Sequence, residues 1–103
     1  MRFEPAAGTG ELSRGKTLLV TVADREILLC HTPEGIYAVD NLCTHAAEKL
    51  DSGRLKGCRL HCPLHGAAFD VRDGSALSRP ATIPLATYPV RIEGDVIQVG
   101  IEP

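Results

Sequence analysis

Apolar residues in this chain come in short runs, and where they alternate with polar ones the period is two. Thr17-Leu18-Leu19-Val20-Thr21-Val22 is a β-rich run that stops at Ala23-Asp24, a turn. Glu26-Ile27-Leu28-Leu29-Cys30-His31 returns from it, which predicts a first hairpin. Pro33-Glu34-Gly35 closes that arm, and Ile36-Tyr37-Ala38-Val39-Asp40 begins the next strand. Ahead of these, Gly8, Gly10 and Gly15 punctuate a polar opening, so three short strands lead into the loop that follows Asp40. Residues 46–53 read as loop or a single helical turn. Arg54-Leu55-Lys56 and Arg59-Leu60-His61 read as short strands on either side of Gly57, and Ala67-Ala68-Phe69-Asp70-Val71 as another, closed by an Asp73-Gly74 turn. A Pro-containing connection, Ser78-Arg79-Pro80-Ala81, precedes the clearest hairpin: Thr87 to Glu93, Gly94-Asp95, then Val96 to Ile101, with Val90 and Ile92 alternating with Arg91 and Glu93. Many short strands with no helical periodicity predict an all-β sandwich or barrel of short antiparallel strands.

Length and charge narrow the picture. At 103 residues the chain is one domain, 1–103, with a modest core to which a bound group can add useful stability. The formal net charge of -2, with both signs scattered and no basic run, gives no reason to expect nucleic acid or anionic lipid as a partner. The opening Met1-Arg2-Phe3-Glu4-Pro5 lacks the apolar core of a secretory signal, and no stretch approaches a membrane span. A cytoplasmic protein is expected, with Cys30 and Cys58 as reduced thiols.

The chemistry is concentrated in two separated pairs, Cys43-Thr44-His45 and Cys62-Pro63-Leu64-His65. Two thiolates and two imidazoles make a metal site. On extended backbone, side chains two apart lie roughly 7 Å from one another, which suits a Cys and a His bound to two different irons. A 2Fe-2S cluster meets that demand if each loop gives its Cys to one iron and its His to the other, the ligand set of a Rieske centre. Structural zinc is the alternative, since two Cys and two His are an ordinary zinc set. Against it, each half mixes one Cys with one His, and the second half lies in a Pro/Gly loop instead of on a helix.

With Gly66-Ala67 and Phe69-Asp70 following the second pair, nearly the whole chain resembles the small soluble Rieske-type ferredoxins that serve bacterial aromatic-ring dioxygenases. The resemblance implies one 2Fe-2S cluster held by Cys43, His45, Cys62 and His65, in a cluster-binding subdomain of about 41–70. It also implies that the connection near Pro80 folds against the cluster. The expected role is a one-electron carrier, not an enzyme, which accepts from a flavin-containing ferredoxin reductase and donates to a terminal oxygenase. A monomer is expected. A different class, the small Rieske-like subunit of a cytosolic nitrite reductase, stays open. Respiratory Rieske proteins, by comparison, carry an extra Cys in each cluster loop and hydroxyl donors two and four residues after the second ligand His. Here the loops read Ala46-Ala47-Glu48 and Pro63-Leu64, and the hydroxyl positions hold Ala67 and Phe69.

Several residues compete for attention. Cys58-Arg59-Leu60-His61 is a second C-x-x-H, but on a strand Cys58, Leu60 and Cys62 share one face while Arg59 and His61 share the other, so Cys58 and His61 point apart. Cys58 then reads as a small buried apolar residue. Cys30 reads as a buried thiol and His31 as a half-exposed imidazole, with Tyr37, Phe69 and Tyr88 as core packing. Ala46, Ala47, Pro63 and Leu64 are expected around the His-bound iron, where small apolar groups shield it and let a partner approach closely.

Overall fold

The computed structural model describes residues 1–44, 48–63, 66–79 and 83–102. Among these, eleven strands form three antiparallel sheets. The first sheet orders β1 (Arg2–Gly8), β11 (Val96–Ile101) and β10 (Val90–Glu93). The second orders β2 (Thr17–Val22), β3 (Arg25–Thr32), β4 (Gly35–Asp40) and β9 (Thr87–Tyr88). The third orders β5 (Arg54–Lys56), β6 (Arg59–His61), β7 (Ala68–Asp70) and β8 (Ala76–Ser78). Apart from one 3-10 turn at Thr9–Glu11, no helix occurs among the described residues.

The central β3 explains the stacking. Ile27, Leu28, Leu29 and Cys30 are all fully buried, and a continuous apolar run on a strand means burial on both faces. Leu28 and Cys30 join Val39, Cys43, Leu60, Cys62 and Phe69 in one core. Ile27 and Leu29 join Val22, Ala38, Ile97 and Val99 in the other. The second sheet is thus the shared wall between two cores, one roofed by the terminal strands and one by the β5–β8 sheet.

Two stretches differ from their sequence pattern. The opening is a strand, β1, whose register with β11 shifts between Pro5 and Ala7. It is an edge strand, where a proline without an N–H and a bulge are both tolerated. The stretch from Thr87 to Glu93 is not one hairpin arm. It breaks at Pro89, so that Thr87 and Tyr88 pair with β4 while Val90 to Glu93 pair with β11. Ile92, despite its alternation, is 49% exposed.

Candidate metal centre

Each candidate cysteine opens a loop of the same construction. Cys43 follows β4 by way of Asn41 and Leu42, and its N–H donates to the Glu48 carbonyl at 2.7 Å. Cys62 follows β6 directly, and its N–H donates to the Ala67 carbonyl at 2.7 Å. In both, the bond spans to the fifth residue on and closes the mouth of the loop. An isolated bridge between Leu42 and Lys49 closes the first loop again, and Gly66, at φ 72, lets the second turn back toward β7.

The two cysteines are 1% and 4% exposed and belong to one core with Leu50, Leu60, Ala67 and Phe69. Two soft sulfur donors at the mouths of neighbouring loops, walled by apolar side chains, fit an iron–sulfur cluster. Next to them Thr44 is half-buried and Pro63 exposed, so the loops run outward from the core. The expected partners His45 and His65 lie outside the described residues, as do Ala46, Ala47 and Leu64.

Ser78 at the end of β8 and Ile83 beyond it are each tied to one of the loops. Ser78 Oγ donates to the Gly66 carbonyl at 3.2 Å and Thr44 Oγ1 donates to the Ile83 carbonyl at 2.6 Å. Pro80 and Ala81 themselves lie outside the described residues. Pattern reading missed both hydroxyls, because a lone Ser and a lone Thr carry no spacing signal.

Behind the first loop, Asn41 is 2% exposed and fully used. Its Nδ2 donates to Asp51 Oδ1 at 2.9 Å and to Glu26 Oε1 at 3.3 Å, and its Oδ1 accepts the Leu50 N–H at 3.2 Å. Lys49 pairs with the same Glu26. That ammonium first, then the Asn41 amide, holds the Glu26 carboxyl below its ordinary range.

The remaining thiols point elsewhere. Cys58 is half-buried with Sγ 3.8 Å from Glu34 Oε2, while His61 faces a groove beside Arg54. Among the described residues no three His, Cys, Asp or Glu side chains gather as a metal site. Cys30 is fully buried, with its thiol pushed up to about 12 by that burial. The ring Nδ1 of half-buried His31 donates to the Leu12 carbonyl at 3.1 Å. Phe69 is fully buried, and Tyr37 and Tyr88 pack against the two cores.

Residues 3–89 match the Rieske [2Fe-2S] domain. The chain is 43% identical, over 98% of its own length and 97% of the relative's, to the ferredoxin component of the naphthalene 1,2-dioxygenase system of Pseudomonas putida. A ferredoxin of carbazole 1,9a-dioxygenase from Nocardioides aromaticivorans IC177 superposes with a TM-score of 0.93 at 30% identity, covering 99% of this chain and 100% of that one. The ferredoxin in a complex of reduced oxygenase and oxidized ferredoxin of carbazole 1,9a-dioxygenase superposes with a TM-score of 0.88 at 27% identity, covering 95% and 92%.

Proposed function

The chain belongs to the Rieske [2Fe-2S] family, and on that premise we propose that it is the ferredoxin of an aromatic-ring dioxygenase system, carrying single electrons from a flavoprotein reductase to a terminal oxygenase. The observation that carries this reading is the pair of matched loops, each opened by a buried cysteine of the same core. Its relatives over nearly full length are ferredoxin components of such systems, which favours a carrier over either zinc or a nitrite reductase subunit.

Cys43, His45, Cys62 and His65 are the proposed ligands of one 2Fe-2S cluster, which when bound supplies a reversible one-electron couple. The chain's own part is positional. The Cys43 and Cys62 N–H groups are spent closing their loops, which fixes where each sulfur sits. Leu50, Leu60 and Phe69, all fully buried, keep water from the inner side. Thr44 bonds Ile83 to the first loop, and Ser78, at the end of β8, bonds Gly66 of the second. We place the carrier in the cytoplasm as a monomer, with a bare outer edge near Pro63 to meet each partner in turn.

The test is to purify the protein anaerobically and measure iron, sulfide and the visible and electron paramagnetic resonance spectra, then to substitute each ligand. Cys43→Ser, His45→Ala, Cys62→Ser and His65→Ala should each abolish the Rieske spectrum, while Cys58→Ser and His61→Ala keep it. Loss in His61→Ala with retention in His65→Ala would show the wrong ligand set.

A further inference from the structure

Positive charge concentrates on one face of the β5–β6 hairpin, in a chain whose net charge is -2. Leu55 and Leu60 turn inward to the cluster-side core, so the alternating positions Arg54, Lys56, Arg59 and His61 share the outward face. The register sets Arg54 opposite His61 and Lys56 opposite Arg59. Like charges directly opposite across an antiparallel pair are destabilising, and this hairpin keeps the Lys56–Arg59 pair. Arg59 has Asp70 as its neighbour on the other side. Arg54, Lys56 and nearby Lys16 enter no ion pair among the described residues.

Beside this face opens a groove of about 630 Å³, which Lys16, Arg54, Lys56 and His61 line and which ends on Cys62 and Pro63. No carboxylate among the described residues lines it. An unneutralised basic groove running up to a cluster loop needs its counter-charge from outside the chain.

We propose that this groove receives an acidic surface segment of the terminal oxygenase. The proposal rests on the carrier reading above. A segment seated there relieves the repulsion between Lys56 and Arg59 and brings the body of its protein against Pro63, beside the loop from which the electron leaves. The oxygenase is assigned in preference to the reductase because a related ferredoxin is known in complex with its oxygenase. Opposite charge steers encounter as well as orientation, so its effect belongs chiefly to the association rate and fades with salt.

The experiment mixes the cluster-loaded, dithionite-reduced protein in a stopped-flow instrument with the oxidised terminal oxygenase of the Pseudomonas putida naphthalene 1,2-dioxygenase system, across a range of ionic strength. The wild-type rate should fall as salt rises. Arg54→Glu with Lys56→Glu should slow transfer about tenfold at low salt, the lower end of electrostatic steering, and flatten the salt dependence. Arg2→Glu with Arg91→Glu, the same charge change on the terminal sheet, should stay within about twofold of wild type, well short of that steering effect. The groove variant should melt no lower than wild type, because its new carboxylates face His61 and Arg59, so slower transfer cannot come from misfolding. No transfer by the wild type would overturn the carrier reading. Transfer that is equal in the two double variants, or faster in salt, would overturn the groove alone. A slowed reduction by the reductase with transfer to the oxygenase untouched would overturn the assignment of the partner.

Discussion

The two cysteines outside the candidate site are chemically unlike because their surroundings are. Cys30 lies inside the central wall, its thiol pushed up to about 12 by burial and its Sγ 3.9 Å from the Leu28 carbonyl, so it has almost no thiolate at neutral pH. Cys58 is half-buried at a turn. Iodoacetamide at pH 8 should therefore alkylate Cys58 and leave Cys30 unmodified in the loaded protein, read by mass spectrometry of peptides; modification of Cys30 at a comparable rate would contradict its placement. Ala67 and Phe69 govern a different property. Both are fully buried in the core that holds Cys43 and Cys62, and neither brings a hydroxyl to it. Hydrogen bonds to cluster sulfurs favour the reduced, more negative state, so without these two hydroxyls the potential is expected at the low end of the Rieske span, near about -150 mV. Ala67→Ser with Phe69→Tyr should raise the midpoint in protein-film voltammetry, each about 59 mV being tenfold in the equilibrium. A wild-type midpoint above roughly +100 mV, well up the Rieske span, or no upward shift in the double variant, would refute the account.

At the scale of elements, the first loop depends on Asn41, which joins β3 through Glu26 to the turn after Lys49. Asn41→Ala leaves the buried Leu50 N–H without its acceptor, at a cost of about 1–3 kcal/mol. Asn41→Asp restores an acceptor but sets a third carboxylate against Glu26 and Asp51, and should be no more stable than the alanine variant. Urea midpoints of the loaded proteins decide it, and an aspartate variant as stable as wild type would remove Asn41 from this role. The same loop shows what the sequence could and could not reveal. The Cys and His spacing was legible because metal ligation demands particular residue types at short intervals, and the β3 and β4 strands because their apolar runs end in turn residues. Asn41 was not, since its three partners come from Glu26, Leu50 and Asp51, which only folding brings together. Strand β1 was hidden by Pro5 and its bulge, features that mark an edge and suppress the alternating pattern. Pro89 was visible as a residue, but that it passes the chain from one sheet to another is settled by pairing with β4 and β11.

Among the described residues the molecule has two cores sharing one wall, and candidate ligands lie in one of them. Leu28, Cys30 and Val39 face the core of Cys43 and Cys62, whereas Ile27, Leu29 and Ala38 face a core completed by Ile97, Val99 and Ile101, with no candidate ligand in it. A bound cluster ties together two loops that are each closed only on themselves by a Cys N–H bond, and metal binding that needs an assembled site adds its free energy to the folded state of that site. The β5–β8 sheet consists of three-residue strands, few enough backbone bonds per strand that it relies on its neighbours. The terminal sheet instead pairs β11 on both sides along its length. Stability need not be uniform across such a fold, and local opening follows the weaker unit. Removing the cluster by chelation under mild acid and returning to neutral pH should therefore speed amide exchange first at Leu60 and Phe69, while Ile97 and Val99 keep their protection. Exchange that rises equally at all four positions would show one indivisible cooperative unit. Exchange unchanged at Leu60 and Phe69 would show that the cluster contributes nothing to the layer that holds it.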